Sequence, residues 1–215
     1  MRIALPLVGV AALVLGIAGA GHADTHPPDA KNAARATTAG PAQPPPDAQA
    51  AQPAGRQTIL DDLFDRLGKT RDEAEAQGIA GAIQRVWLRS GSDTADIVME
   101  RADTLIRQKD WKGAEDMLDR LVDLEPQWAE AWNRRATVRF FQQDTSGAME
   151  DLAHVLHLEP RHFTALVGVG AILERSEKNA QALRVFRRVL EINPQLDDIR
   201  KKVDKLSIEV EGREI

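Results

Sequence analysis

Beyond residue 53 the chain has only three prolines, Pro126, Pro160 and Pro194, and they stand 34 residues apart in two equal intervals. Each closes a near-copy of one phrase, Leu124-Glu125, Leu158-Glu159 and Ile192-Asn193. Proline lacks an amide hydrogen and clashes with the preceding turn, so each marks the end of a helix. Small residues recur in the same register at Ala102, Ala136 and Gly170, and again at Ala114, Ala148 and Ala182. Larger apolar residues follow at Leu118, Leu152 and Phe186, then at Leu121, Val155 and Val189. The period predicts three helical hairpins, with the small residues placed where paired helices come close.

From Ala95 to about Leu196 these residues resemble the tetratricopeptide repeat, a helix–turn–helix of 34 residues read by bulky, small and aromatic positions before a closing proline. The middle copy fits best, with Trp132, Ala136, Phe140, Ala148 and Pro160. The first copy has Val98 for the tryptophan, and the third uses Leu166, Gly170, Ala182 and Phe186. Arg101 and Arg135 stand where leucine is usual, and Arg139 where tyrosine is expected. Arginine at such sites is expected to lay its stem on the helix and release its head to solvent. The resemblance implies an all-α fold: a short right-handed superhelical solenoid of three hairpins whose first helices line a concave groove for a peptide or partner helix.

Sequence outside the repeats sets the remaining organisation. Met1-Arg2, the apolar run Ile3 to Ala18 and the small residues through Ala23 are built like a secretory signal peptide. Cleavage after Ala23 is expected, with Ala20 as the alternative, and an uncleaved membrane anchor is the other reading of this segment. The expected location is periplasmic or secreted. Residues 24–56 hold seven of the eleven prolines and almost no large apolar residue, which predicts a disordered linker. Residues 57–92 predict an N-terminal helical hairpin: Leu60, Leu63, Phe64 and Leu67 recur at helical spacing, and so do Ile79, Ala82, Ile83, Val86 and Trp87. Extending the repeat frame backward puts Gly68 and Ala80 at small positions but Gln84 at an apolar one, so this hairpin reads as a cap and not a fourth repeat. The repeats occupy 93–196. Residues 197–215 form a C-terminal capping helix and tail, with Leu196, Ile199, Val203, Leu206 and Val210 on one face.

Little in the chain points to catalysis. No cysteine is present, which excludes disulfides and thiolate chemistry, and the phosphate-loop, nucleophile-elbow and paired-histidine zinc motifs do not occur. His154, His157 and His162 cluster but are too few for a metal site, and they read as surface histidines on the outer face. A formal charge of −5 with interspersed signs gives no basic field for nucleic acid. The expectation is a non-enzymatic protein without cofactor or metal, binding a protein or peptide partner. A self-associating scaffold acting through the convex face or terminal helix is the alternative.

Groove-facing positions implied by the resemblance include Met99, Asp103 and Arg107 in the first repeat, Glu130 and Phe141 in the second, and Thr164, Gly168 and Arg175 in the third. Met99, Asp103, Thr164 and Gly168 replace the lysine, asparagine and arginine with which some relatives grip a terminal carboxylate, so that clamp is absent. The residues expected to bind the partner are Asn133, Arg134 and Thr137 on one exposed strip, with Val167 and Ala171 on the next.

Overall fold

The computed structural model describes the backbone of residues 46–212 and the side chains of 55–212. The expected leader, 1–23, and most of the expected linker lie outside the described residues. The chain divides into the units Met1–Thr58 and Ile59–Ile215. Of the first, only the start of helix α1 is described, and the helical hairpins all belong to the second.

Regular structure among the described residues is wholly helical: α1 (Pro46–Lys69), α2 (Glu73–Trp87), α3 (Asp93–Arg107), α4 (Trp111–Leu124), α5 (Ala129–Phe141), α6 (Thr145–Leu158), α7 (Phe163–Arg175), α8 (Asn179–Ile192) and α9 (Asp197–Glu211). The helix α1 starts at Pro46, inside the stretch expected to be linker. Proline suits a first helical position, and the alanines and glutamines that come after it are good helix formers. The three predicted hairpins are α3–α4, α5–α6 and α7–α8, and α4, α6 and α8 each end two residues before the proline that marks them.

The tight turn inside each hairpin repeats with the same period. Lys109, Gln143 and Glu177, 34 residues apart, have positive φ angles of 61°, 72° and 57°. An L-residue in this left-handed region costs roughly 1–2 kcal/mol, which glycine avoids. The next residue caps the second helix: Asp110 and Asp144 accept from the Gly113 and Gly147 amides at 3.0 and 2.9 Å. Lys178 at the third equivalent position makes no side-chain cap.

Helix pairs close on the small residues. Ala102, Ala114, Ala148 and Ala182 have no exposed surface, and neither have Leu118, Phe186, Leu121, Val155 and Val189. Gly170 shows why the third repeat departs from alanine. A Cβ there would lie 2.7 and 2.8 Å from Cζ and Cδ1 of Phe186, with Cε1 nearer still, so the larger ring in α8 requires the missing carbon in α7.

Two of the three unusual arginines are held differently from expectation, while Arg101 is exposed as expected. Arg135 and Arg139 do not release their heads to solvent. Arg135 pairs with Asp151 at 2.7 Å and Asp119 at 2.9 Å, and Arg139 with Asp151 at 3.0 Å and Glu115 at 3.2 Å. Asp151 is 2% exposed, so this cluster ties α4, α5 and α6 together where the family usually places apolar side chains. At the far end α9 buries Ile199, Val203 and Leu206, and Lys202 reaches Glu174 at 2.6 Å. The buried face stops there, since Val210 is 39% exposed.

Gly170→Ala is expected to cost about 1–3 kcal/mol by overpacking against Phe186. The added change Phe186→Leu should recover part of that loss in denaturant unfolding. Gln143→Gly is expected to raise stability by roughly 0.5–1 kcal/mol, read as a higher melting temperature, because the left-handed turn then suits its residue.

Candidate partner-binding face

The turns between repeats carry a second register. Trp128 and His162 each precede a first helix at equivalent positions, and Arg161 and Gln195 each stand one residue before the corresponding places. All four meet the N-terminal hairpin. Trp87, the last residue of α2, stacks on His162 with ring centroids 3.9 Å apart and planes 8° apart, and it tilts against Phe163 at 5.2 Å. Trp128 Nε1 donates to the Trp87 carbonyl at 2.7 Å. Arg161 lies 4.3 Å over the Phe64 ring and pairs with Asp61 of α1 at 2.8 Å. Gln195 donates to the Thr70 carbonyl at 3.3 Å.

The hairpin therefore lies across three successive inter-repeat turns, at the N-terminal ends of the first helices. Its own large side chains Leu60, Phe64, Leu67, Ile79, Ile83 and Trp87 are all buried. A Cβ on Gly68 would meet nothing, so Gly68 does not occupy a close helix approach of the kind the backward frame expects.

The expected binding residues are buried or half-buried. Asn133 is 4% exposed and donates from Nδ2 to Glu130 at 3.2 Å. Arg134, whose side chain is 12% exposed, pairs with Asp103 and Glu130 at 3.0 Å each. Thr137 is half-buried and donates to the Asn133 carbonyl at 3.0 Å, while Val167 and Ala171 are 6% and 9% exposed. None of the five is exposed, so the exposed strip expected from the register is absent.

His162 is the residue that sequence reasoning misplaced most. It has no exposed surface and caps α7, its Nδ1 accepting from the Ala165 amide at 3.4 Å. With Nδ1 accepting, Nε2 donates to Glu130 at 3.1 Å. Burial alone would raise the Glu130 pKa, but the Arg134 charge and the hydrogen bonds from His162 and Asn133 outweigh it and hold the carboxyl below its ordinary value. Asp103 goes the other way, because burial outweighs the pull of Arg134. The difference comes from partners: Glu130 has three donors, whereas Asp103 relies mainly on one. His154, by contrast, stays near the outer surface, tilted 4.0 Å from Trp132.

At the other end of the first helices the face is open. Arg107, Phe141 and Arg175 are the last residues of α3, α5 and α7, at equivalent places in the repeat. Both arginines are exposed, and Phe141 is half-buried. Trp111 stacks on Phe141 at 4.7 Å with planes 10° apart, and Phe140 meets Phe141 edge-on at 6.0 Å. Arg175 lies 5.1 Å over Phe140 and donates to Gln143. Arg107 donates to Thr104 at 2.8 Å.

Comparison with known proteins agrees with this architecture. Residues 95–138 match the family model described as tetratricopeptide repeat. A TPR repeat-containing protein of Rhizobium etli is 40% identical over 153 residues, covering 71% of this chain and 75% of the relative. The chain belongs to the tetratricopeptide repeat family. Among solved structures, the first TPR of Spaghetti (RPAP3), bound to an HSP90 peptide, superposes with a TM-score of 0.52 at 21% identity, over 54% of this chain and 93% of that one. The Yersinia enterocolitica type III secretion chaperone SycD, in complex with a peptide of the translocator YopD, gives 0.51 at 12% identity, over 57% and 97%. MamA gives 0.51 at 16% identity, over 74% and 84%. At these identities the structures share the fold.

Arg134→Ala is expected to cost about 3–5 kcal/mol in urea unfolding, because it strands Glu130 and Asp103 without their buried cation. Thr137→Ala should cost about 1 kcal/mol or less. Equal and small effects of both would remove the buried cluster from any structural role.

Proposed function

We propose that this protein is an exported interaction adaptor that docks a segment of a partner protein on the open end of the face formed by its first helices. The observation that carries the reading is the division of that face. Its N-terminal ends already hold an amphipathic helical hairpin through Trp87 and His162, while Trp111, Phe141 and two exposed arginines remain available beyond it. Aromatic and arginine side chains are the types that most often dominate binding energy. The peptide complexes of the RPAP3 domain and SycD support a binding role for this fold, and the absence of a recognised catalytic motif agrees with an adaptor. In this reading Asn133, Arg134, Thr137, Val167 and Ala171 support the face from beneath and act on the partner through its shape.

The leader-like N-terminus supports export, with a mature chain starting near Asp24 and working in the cell envelope. Among the described residues no helix is long and apolar enough to cross a membrane. A scaffold reading has its own observation: Ile208 is 50% and Val210 39% exposed at the end of α9.

Capture from native envelope, with partners identified by mass spectrometry, separates the two. Phe141→Ala is expected to lower recovery of the main partner by about tenfold or more, as loss of a central contact does, while Ile208→Glu leaves it unchanged. Recovery lost only with Ile208→Glu would make the protein a scaffold acting through its terminal helix.

A further inference from the structure

The first helices of the three repeats end in arginine, phenylalanine and arginine, in that order along the open end of the face. Neither Arg107 nor Arg175 forms an ion pair among the described residues, although most other arginines of the repeats do. Their hydrogen bonds go to neutral partners, Thr104 and Gln143. Asp103, one turn before Arg107, feels its charge but pairs with Arg134. Exposed Lys109 and Lys178 add positive charge along the same turns, with Glu177 beside Arg175 and with exposed Asp110 and Asp144 accepting from the Gly113 and Gly147 amides. A chain of formal charge −5 thus keeps two uncommitted guanidiniums on either side of a stacked aromatic pair.

Resting on the reading that this end of the face docks a protein segment, we propose that its ligand is an extended acidic segment carrying one large apolar side chain midway between two carboxylates. The apolar side chain covers Phe141 and Trp111, and each carboxylate takes a guanidinium in a paired hydrogen bond. Helix C-termini carry partial negative charge, so the arginines at these ends supply the attraction and the backbone does not. The three positions are one per repeat and form a row one residue wide, and an extended chain can follow such a row with its side chains, whereas a helix turns half of its own away. An extended peptide is the better fit to a row one residue wide.

The test uses the full chain and a synthetic peptide with a glutamate pair at each end and one phenylalanine midway, measured by calorimetry and by tryptophan fluorescence. Binding is expected for this peptide. It should weaken by about tenfold or more when glutamate is replaced by lysine, when the phenylalanine becomes serine, or when salt rises from about 0.05 to about 0.5 M. The double variant Arg107→Gln, Arg175→Gln should lose binding to a similar degree. Both side chains are exposed, so its melting should match the parent, and Lys201→Gln, at an exposed position on α9 outside this row, should retain the affinity as a control. Unchanged binding by the folded double variant, equal binding of the lysine peptide, or preference for vesicles of anionic lipid over the peptide would each overturn the inference. If the peptide fails to bind while native partner capture still depends on Phe141, the docking face stands and the acidic ligand is refuted.

Discussion

Every level of this structure depends on how closely the two helices of each repeat approach. That distance is set by a pair of positions, one small on the first helix and one large on the second. In two copies the pair is Ala102 with Leu118 and Ala136 with Leu152, and in the third it is Gly170 with Phe186. The buried volumes are traded within the pair, because close-packed interiors have no spare space for an added carbon. With the spacing constant from copy to copy, equivalent residues recur on equivalent surfaces. The turns that seat the hairpin and the helix ends that stay open are both products of that regularity.

The hairpin uses the regularity in an unequal way. Trp128 and His162 are equivalent, yet one gives an indole donor to the Trp87 carbonyl and the other its ring face to the Trp87 indole. His162 then passes the contact inward through Glu130 to Arg134 and Asp103. A buried ionic cluster is costly to form but more costly to break. It holds the His162 ring on which Trp87 of the hairpin stacks. In the proposed reading the consequence for function is spatial: the ends of the first helices that meet the hairpin serve the fold, and the partner docks at the other ends.

Arginine serves three roles here, distinguished by its surroundings. Arg135 and Arg139 replace apolar packing with a shared carboxylate on Asp151. Arg134 neutralises two buried acids. Arg107 and Arg175 are left with neutral partners at helix ends. In the proposed reading this last kind keeps its charge for a ligand, since a guanidinium already held by two carboxylates gains little from a third.

The sequence alone determined the repeat, because a 34-residue spacing of prolines, small residues and apolar residues reflects local constraints on helix length and packing distance. It also determined that the segment before the repeats is a helical hairpin of a different kind, since Gln84 breaks the apolar register. It did not disclose where that hairpin goes. The strip of Asn133, Arg134 and Thr137 looks exposed when only neighbouring repeats are considered, and the same logic put His162 on the surface. Tertiary structure decided otherwise through contacts such as Trp87 with His162, which join residues far apart in the chain and leave no periodic trace. The positions of Trp128 and His162 before equivalent helices were the available sign, two large side chains recurring at one place in the repeat. Which arginines are committed to carboxylates was likewise settled only in three dimensions, because a charge has no fixed partner until the fold brings one within reach.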